Sequence, residues 1–257
     1  MRHAATSRRL AALCSIDARL KPSRYVITIR RAGERLRTRI GWLDSRHTFS
    51  FEEHIDPRHM GFRALRVMNE DRVAPGHGYG THARRDVEIV TYVLEGALRH
   101  HDSLGTEKIV AAGGLQRMSA GTGVLHSELN ASDVEPLHLL QIWILPEQKG
   151  LTPSYSETAL NGAPQTEPLR LVGSREGGDN ALKIKQDVRL YVGKLKAGES
   201  VDQTLAPDRH AWLQLISGTL TANGAELRSG DAAAVSGESL LKLSATEASH
   251  FLLFDLA

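Results

Sequence analysis

Only one of the 257 residues is a cysteine, Cys14, so no disulfide can form within the chain, and a reducing, cytoplasmic setting is expected. Long apolar runs are missing as well. The best of them, Leu137 to Leu145, includes His138 and Gln141 and falls far short of the roughly 20 residues that cross a bilayer, so no membrane span is expected. Nor is there an excess of basic residues on the body of the chain. The net charge is +2, but residues 1–24 carry Arg2, Arg8, Arg9, Arg19, Lys21 and Arg24 against Asp17, which amounts to +5 and leaves −3 for the remainder. Direct nucleic-acid binding needs a basic face on the folded part, and nothing here supplies one. What is present, 41% apolar and 24% charged residues, is the composition of an ordinary globular protein with a sizeable core.

The chain divides by pattern. Residues 1–24 contain the pair Arg8-Arg9, which resembles a twin-arginine export signal, but the apolar stretch behind it stops at Asp17. They read as a basic extension ahead of the folded part. From Tyr25 the signals are those of strands. Tyr25 to Ile29, Phe62 to Val67, Val87 to Leu94, Ala97 to His101, Glu107 to Ala111 and Leu137 to Leu145 are rich in β-branched or alternating apolar residues, separated by glycine turns. Residues 147–180 loosen into Pro, Gly, Ser and Thr and read as a surface connection between the two halves with little regular structure of its own. Strand signals resume near Leu182, and Asn223-Gly224 suits a tight hairpin turn.

The two strand-rich parts repeat one another. Gly76 and Gly96 are 20 residues apart, as are Gly198 and Gly218, and Leu94 to Leu98 has a counterpart in Ile216 to Leu220, a shift of 122. Later glycines match with a shift of 116; the first shift places Thr204 and Ala206 where the first copy has His82 and Arg84, and the second places Lys242 where it has His126. Three organisational units are therefore expected: residues 1–24, a first unit over 25–150, and a linker with a second unit over 151–257 that lacks metal ligands.

The chemistry gathers between Gly76 and Glu128. His82 and Arg84 are two apart, as are His126 and Glu128, so on strands each pair shares a face. Two imidazoles and a carboxylate form a set that holds a divalent transition metal with positions left open. Arg84 cannot ligate, because its guanidinium stays protonated. His77 is a possible replacement ligand, but it lies among Gly76, Gly78 and Gly80 and reads as loop. His100, His101, His138 and His210 read as strand-face or surface residues, Glu88 as structural, and Trp143 and Trp212 as core.

The spacing Gly76-x5-His82-x-Arg84-x3-Glu88 with Gly96, followed by Gly121-x-Gly123-x2-His126, resembles the two motifs of the cupin superfamily. Gly41 to Phe51, Met60-Gly61-Phe62, Met118 to Glu128 and Leu139 to Pro146 are similar to pirin, above all to bacterial pirin-like proteins. The resemblance implies an all-β bicupin, two β-barrels packed together behind a basic extension, with one metal site in the first barrel. It implies that His82, His126 and Glu128 hold one divalent metal, Fe(II) above others, that Arg84 occupies the place of the fourth ligand, and that Glu128 is also the catalytic base. The implied activity is dioxygenation of a flavonol such as quercetin. The other reading is a binding or regulatory protein, metal-free or weakly metal-binding, in which Arg84 pairs with Glu128 or with a small anion. In either case the expected partner is a small aromatic molecule or a small anion in the first barrel.

Overall fold

The structure, a computed structural model, describes residues 26–160 and 167–257; the extension over residues 1–24 and the turn at 161–164 lie outside the described residues. The first part of the chain forms β1 Val26–Arg30, β2 Leu36–Ile40, β3 Leu43–His47, β4 Leu65–Val73, β5 Gly78–Arg84, β6 Glu88–Glu95, β7 Ala97–Asp102, β8 Glu107–Ala111, β9 Gly114–Ser119, β10 Val124–Asn130, β11 Leu137–Ile144 and β12 Ser154–Ala159. The later part forms β13 Leu169–Ser174, β14 Leu182–Lys183, β15 Val188–Leu195, β16 Ser200–Thr204, β17 His210–Ser217, β18 Thr219–Ala222, β19 Ala225–Arg228, β20 Ala232–Ser236, β21 Leu240–Ala245 and β22 Ser249–Leu256. No helix among the described residues is long and apolar enough to cross a membrane.

The strands make two copies of one arrangement. A seven-stranded sheet in the order β12-β9-β6-β11-β4-β3-β2 accompanies a four-stranded sheet β5-β10-β7-β8, and the second copy runs β1-β20-β17-β22-β15-β13-β14 with β16-β21-β18-β19. Strands β6 and β17 are offset by the same 122 residues found in the sequence repeat. Each copy takes an edge strand from beyond its own stretch of chain. β1 pairs with β20 throughout its length, from Val26 opposite Ser236 to Arg30 opposite Ala232, and β12 pairs with β9.

Two expectations are corrected here. No sheet closes into a barrel: each of the four is open, with end strands that have a single neighbour. Short strands at even spacing are common to barrels and sandwiches; what separates the two is whether the end strands hydrogen-bond to one another, and side-chain patterning does not encode that. Each copy is a sandwich of a large and a small open sheet. Second, the stretch 147–180 has more regular structure than expected, because it holds β12 and β13. β12 is an edge strand with one partner and two polar-leaning faces, so it lacks the apolar alternation of a buried strand.

Packing follows from the alternation of side chains along each strand. On β6, Val90 and Tyr92 point to the far side of the large sheet, where they join Leu140, Ile142, Trp212, Leu252 and Phe254 in one core between the two copies. Each such side chain contributes about 1.5–3 kcal/mol on burial. The opposite faces look into the sandwiches. In the second copy that interior is apolar, filled by Leu213, Leu215, Leu241, Leu243, Phe251 and Leu253. In the first copy two apolar clusters, one around Val93, Leu98 and Leu139 and one around Ile89, Met118 and Val124, leave a polar zone between them. Its residues include Asn69, Asp71, Thr91, His100, Gln116, His126, Glu128 and Gln141, all buried.

The seam between the copies carries its own titratable pair. The Tyr92 hydroxyl lies 3.1 Å from His250 Nε2, and burial, then the nearby Lys194 charge, pushes the His250 imidazole down to about 4. A histidine kept neutral in the folded state contributes stability above its unfolded pKa of about 6.5 and loses it as pH falls from there through 4. Urea unfolding at pH 7 and pH 4.5 is expected to show an acid loss about 2 kcal/mol smaller in His250→Gln than in the natural protein; equal losses would show that protonation of His250 does not oppose folding.

Candidate metal centre

The small sheet of the first copy places the ligating side chains in a row. β10 is central, with β5 on one side and β7 on the other. His126 faces His82 across the β10–β5 pair, and Glu128 faces His100 across the β10–β7 pair. Alternation sends His126, Glu128 and Asn130 inward and leaves Leu125 exposed, and it sends Leu98, His100 and Asp102 inward on β7. Pairing between β5 and β10 shifts register between His126 and Glu128. Gly78 then lies so close that a Cβ there would collide with the Glu128 carbonyl, so the bulge that aims Glu128 depends on a residue without a side chain.

The structure brings His100, His126 and Glu128 together: one ligand atom from each lies within 4.8 Å of the others, and all three residues are buried. This corrects the reading of His100 as a strand-face or surface residue without a part in the site. Its Nε2–H donates to Asp102 Oδ2 at 2.9 Å, and Asp102 is held in turn by the backbone N–H groups of Leu104 and Thr106. That leaves the His100 Nδ1 lone pair buried and without a partner. A carboxylate behind a histidine fixes tautomer and ring orientation in this manner at many metal centres.

His126 gives the clearest indication of what the cluster is for. Both of its ring nitrogens are buried and neither has a hydrogen-bond partner, an arrangement that costs about 1–3 kcal/mol per unsatisfied group unless something else binds there. Burial first, then His82, His100 and Arg84, pushes its pKa down to about 3; a neutral imidazole is the form that ligates. His82 stands ring to ring with His126, centroids 4.4 Å apart. Its Nδ1 donates to the Gly80 carbonyl at 2.7 Å, which frees Nε2, but its ligand atoms are not part of the close group of three. His77 bonds the Pro75 carbonyl on the exposed loop instead.

Glu128 is supported from the large sheet. Oε1 accepts from Gln116 Nε2 at 2.8 Å and from the Thr91 hydroxyl at 3.2 Å, and Oε2 accepts from Gln141 Nε2 at 2.7 Å. Burial raises its pKa to about 7, with the bond from Thr91 and the charge of Arg84 opposing. Tyr155 of β12 completes one wall, its hydroxyl 3.1 Å from Gln116 Oε1 and its ring 4.7 Å from that of His100. Neither its place in a presumed linker nor its spacing marked it.

Arg84 does not pair with Glu128. Its guanidinium carbon lies 4.6 Å from the Trp143 ring centroid, and the donors on the Glu128 oxygens are Thr91, Gln116 and Gln141. Trp143, read as core, is instead half-buried beside the site, edge-on to Phe51. Trp212 does lie in the core. Glu88 ties the copies together, accepting the Ser119 hydroxyl and the backbone N–H of Lys185. In the second copy the matching residue types have no such setting. Thr204, Ala206 and Lys242 are exposed, and Leu213 stands at the place of Thr91.

The donor set fits a divalent transition metal, since two neutral imidazoles and a carboxylate converge with unspent lone pairs in a closed polar zone. Comparison with known proteins agrees with this frame. The Pirin family matches residues 29–144 and the quercetinase C-terminal cupin domain matches residues 171–256. A quercetin 2,3-dioxygenase of Escherichia coli strain K12 is 45% identical over 231 residues, 90% of this chain and 99% of its own length. A putative quercetin 2,3-dioxygenase of Pasteurella multocida is 41% identical over 90% of this chain and all of its own length. The crystal structure of the bacterial pirin YhhW from Escherichia coli in complex with nickel(II) superposes with a TM-score of 0.86 at 44% identity, covering 90% of this chain and 99% of that one. Matched in both copies and along nine-tenths of its length, the chain belongs to the pirin family, the bicupins of that name within the cupin superfamily.

Proposed function

We propose that this protein is a quercetin 2,3-dioxygenase-type enzyme whose first copy holds one divalent transition metal, Fe(II) above others. The observation that carries the reading is His126, buried with two unpartnered nitrogens beside a carboxylate held by three donors. His126 and Glu128 are the central ligands. His82 and His100 flank them on either side, and Arg84 stands next to His82 at the place where the family resemblance implies one further ligand. A bound Fe(II) would supply the redox chemistry that dioxygen needs and organic substrates lack.

The residues themselves do the rest. Glu128, whose carboxylate lies within the ligand cluster, takes the proton of a flavonol hydroxyl, a transfer that requires a carboxylate within hydrogen-bond reach of that proton. Gln116, Gln141 and Thr91 hold its oxygens in place while the charge changes. Apolar clusters on both sides keep water from the zone. With a single cysteine, the chain suits a reducing cytoplasmic setting in which ferrous iron persists.

Protein purified without chelator and supplemented with Fe(II) is expected to contain about one iron per chain and to consume dioxygen with quercetin. Absence of bound metal after supplementation would overturn the reading, and so would full metal loading without oxygen uptake.

A further inference from the structure

At its end β5 alternates: His82 and Arg84 are half-buried and Ala83 between them is exposed, as are Gly80 and Thr81 before them. Its guanidinium lies over Trp143, and the indole is fixed from two directions, edge-on by Phe51 and through Nε1 to Gln141 Oε1 at 3.2 Å. Gln141 is one of the three residues that donate to Glu128, and the one that bonds its Oε2. The cation is therefore linked to the base through two residues, Trp143 and Gln141, and stands beside the candidate ligands.

Its donors are almost unused. Nε is buried with no partner, the one hydrogen bond is from Nη1 to the Ala83 carbonyl at 3.5 Å, and no carboxylate among the described residues reaches it within the 4.0 Å of an ion pair. Glu52 and Glu128 act on it only through space. An arginine has five N–H donors in a planar fork, and one that is partly desolvated without spending them is a site for an anion of matching shape. Stacking on an aromatic ring stabilises the guanidinium while leaving its edge donors free.

Building on the site proposed above, we propose that Arg84 recognises a carboxylate on the substrate and that the preferred substrates are hydroxylated aromatic acids. The fork matches a carboxylate bidentately, and Trp143, Phe51 and Tyr155 supply aromatic walls. A phosphate dianion fits less well, since the neighbouring Arg85 is exposed and turned to Asp86 and so adds no second cation, while the Glu52 charge already acts on Arg84.

The test is calorimetric titration of the protein, loaded with Ni(II) and dialysed, with 4-hydroxybenzoate, its neutral isostere 4-hydroxybenzamide, and phenyl phosphate. The acid is expected to bind about 30-fold more tightly than the amide, the scale of a charge-assisted bidentate contact, and more tightly than the phosphate. Arg84→Gln should abolish the preference while leaving the amide's affinity and the bound nickel undiminished, and Arg84→Lys should retain part of it. Equal affinity of the natural protein for acid and amide would overturn the proposal, as would tighter binding of phenyl phosphate or an Arg84→Gln protein that keeps the preference. Nickel content is measured on the same samples. Discrimination by a natural protein that holds no nickel would uphold the role of Arg84 and overturn the metal reading alone.

Discussion

Replacing His126 by alanine is expected to lower metal affinity by more than about 100-fold, since changing an outer-shell partner alone costs about 10- to 100-fold. Oxygen uptake with quercetin should vanish with the metal. The reason is specific to this side chain. Among the described residues that could ligate here, His126 is the one with both ring nitrogens buried and unpartnered, and it touches His82 on one side and His100 on the other. The metal-free protein should lose little stability, within about 2 kcal/mol, because no hydrogen bond is broken and only a modest cavity opens. Metal titration and urea unfolding of the dialysed protein separate the two effects. A variant that unfolds without losing affinity in its folded fraction would make His126 a packing residue, and one that binds metal as tightly as the natural protein would move the centre elsewhere.

The frame of this site was legible because its strands carry strong local signals. His126 and Glu128 alternate with Leu125 and Ser127, and the glycines around them announce turns. His100 was less legible, although a signal existed: it has the parity of Leu98 and Asp102, and Leu98 is the one large apolar residue of its strand. Inward parity on a short strand is easily taken for chance when Arg99 and His101 offer the same number of polar residues outward. Tyr155 had no local signal at all. It enters the wall because β12 pairs with β9, Tyr155 standing opposite Met118, 37 residues earlier, and long-range pairing of an edge strand leaves little trace in composition. That the described sheets stay open instead of closing into barrels, and that β1 is exchanged into the second copy, were hidden for the same reason.

The duplication shows what the polar zone costs and what it is for. Both copies have the same strand order, yet one interior is leucine-rich and the other buries His100, Gln116, His126, Glu128 and Gln141. A fold that packs well with leucine at such positions has no structural need for histidine there. The polar set is retained against the tendency of a core, which is the expected mark of a functional site rather than of stability.

Arg84→His is expected to strengthen divalent metal binding by about 100-fold or more, because one change supplies an imidazole and removes a cation from beside the ion. The position is right for it. Residue 84 is opposite Val124, two along β5 from His82 and on the same inward side, so an imidazole there would join the row formed by His82, His126 and His100. The existing guanidinium opposes a cation at this range, as its lowering effect on the His126 pKa shows. Removing it also frees Trp143, so the preference for an aromatic acid over its amide should disappear as affinity for metal rises. Titrating the natural and Arg84→His proteins with Fe(II), Ni(II) and Mn(II) at one pH checks this. Equal and tight binding by both would mean that His100, His126 and Glu128 already complete the centre and that residue 84 serves substrate alone; weaker binding by the variant would mean that Arg84 holds the pocket open, and the ligand position inferred for it would fall.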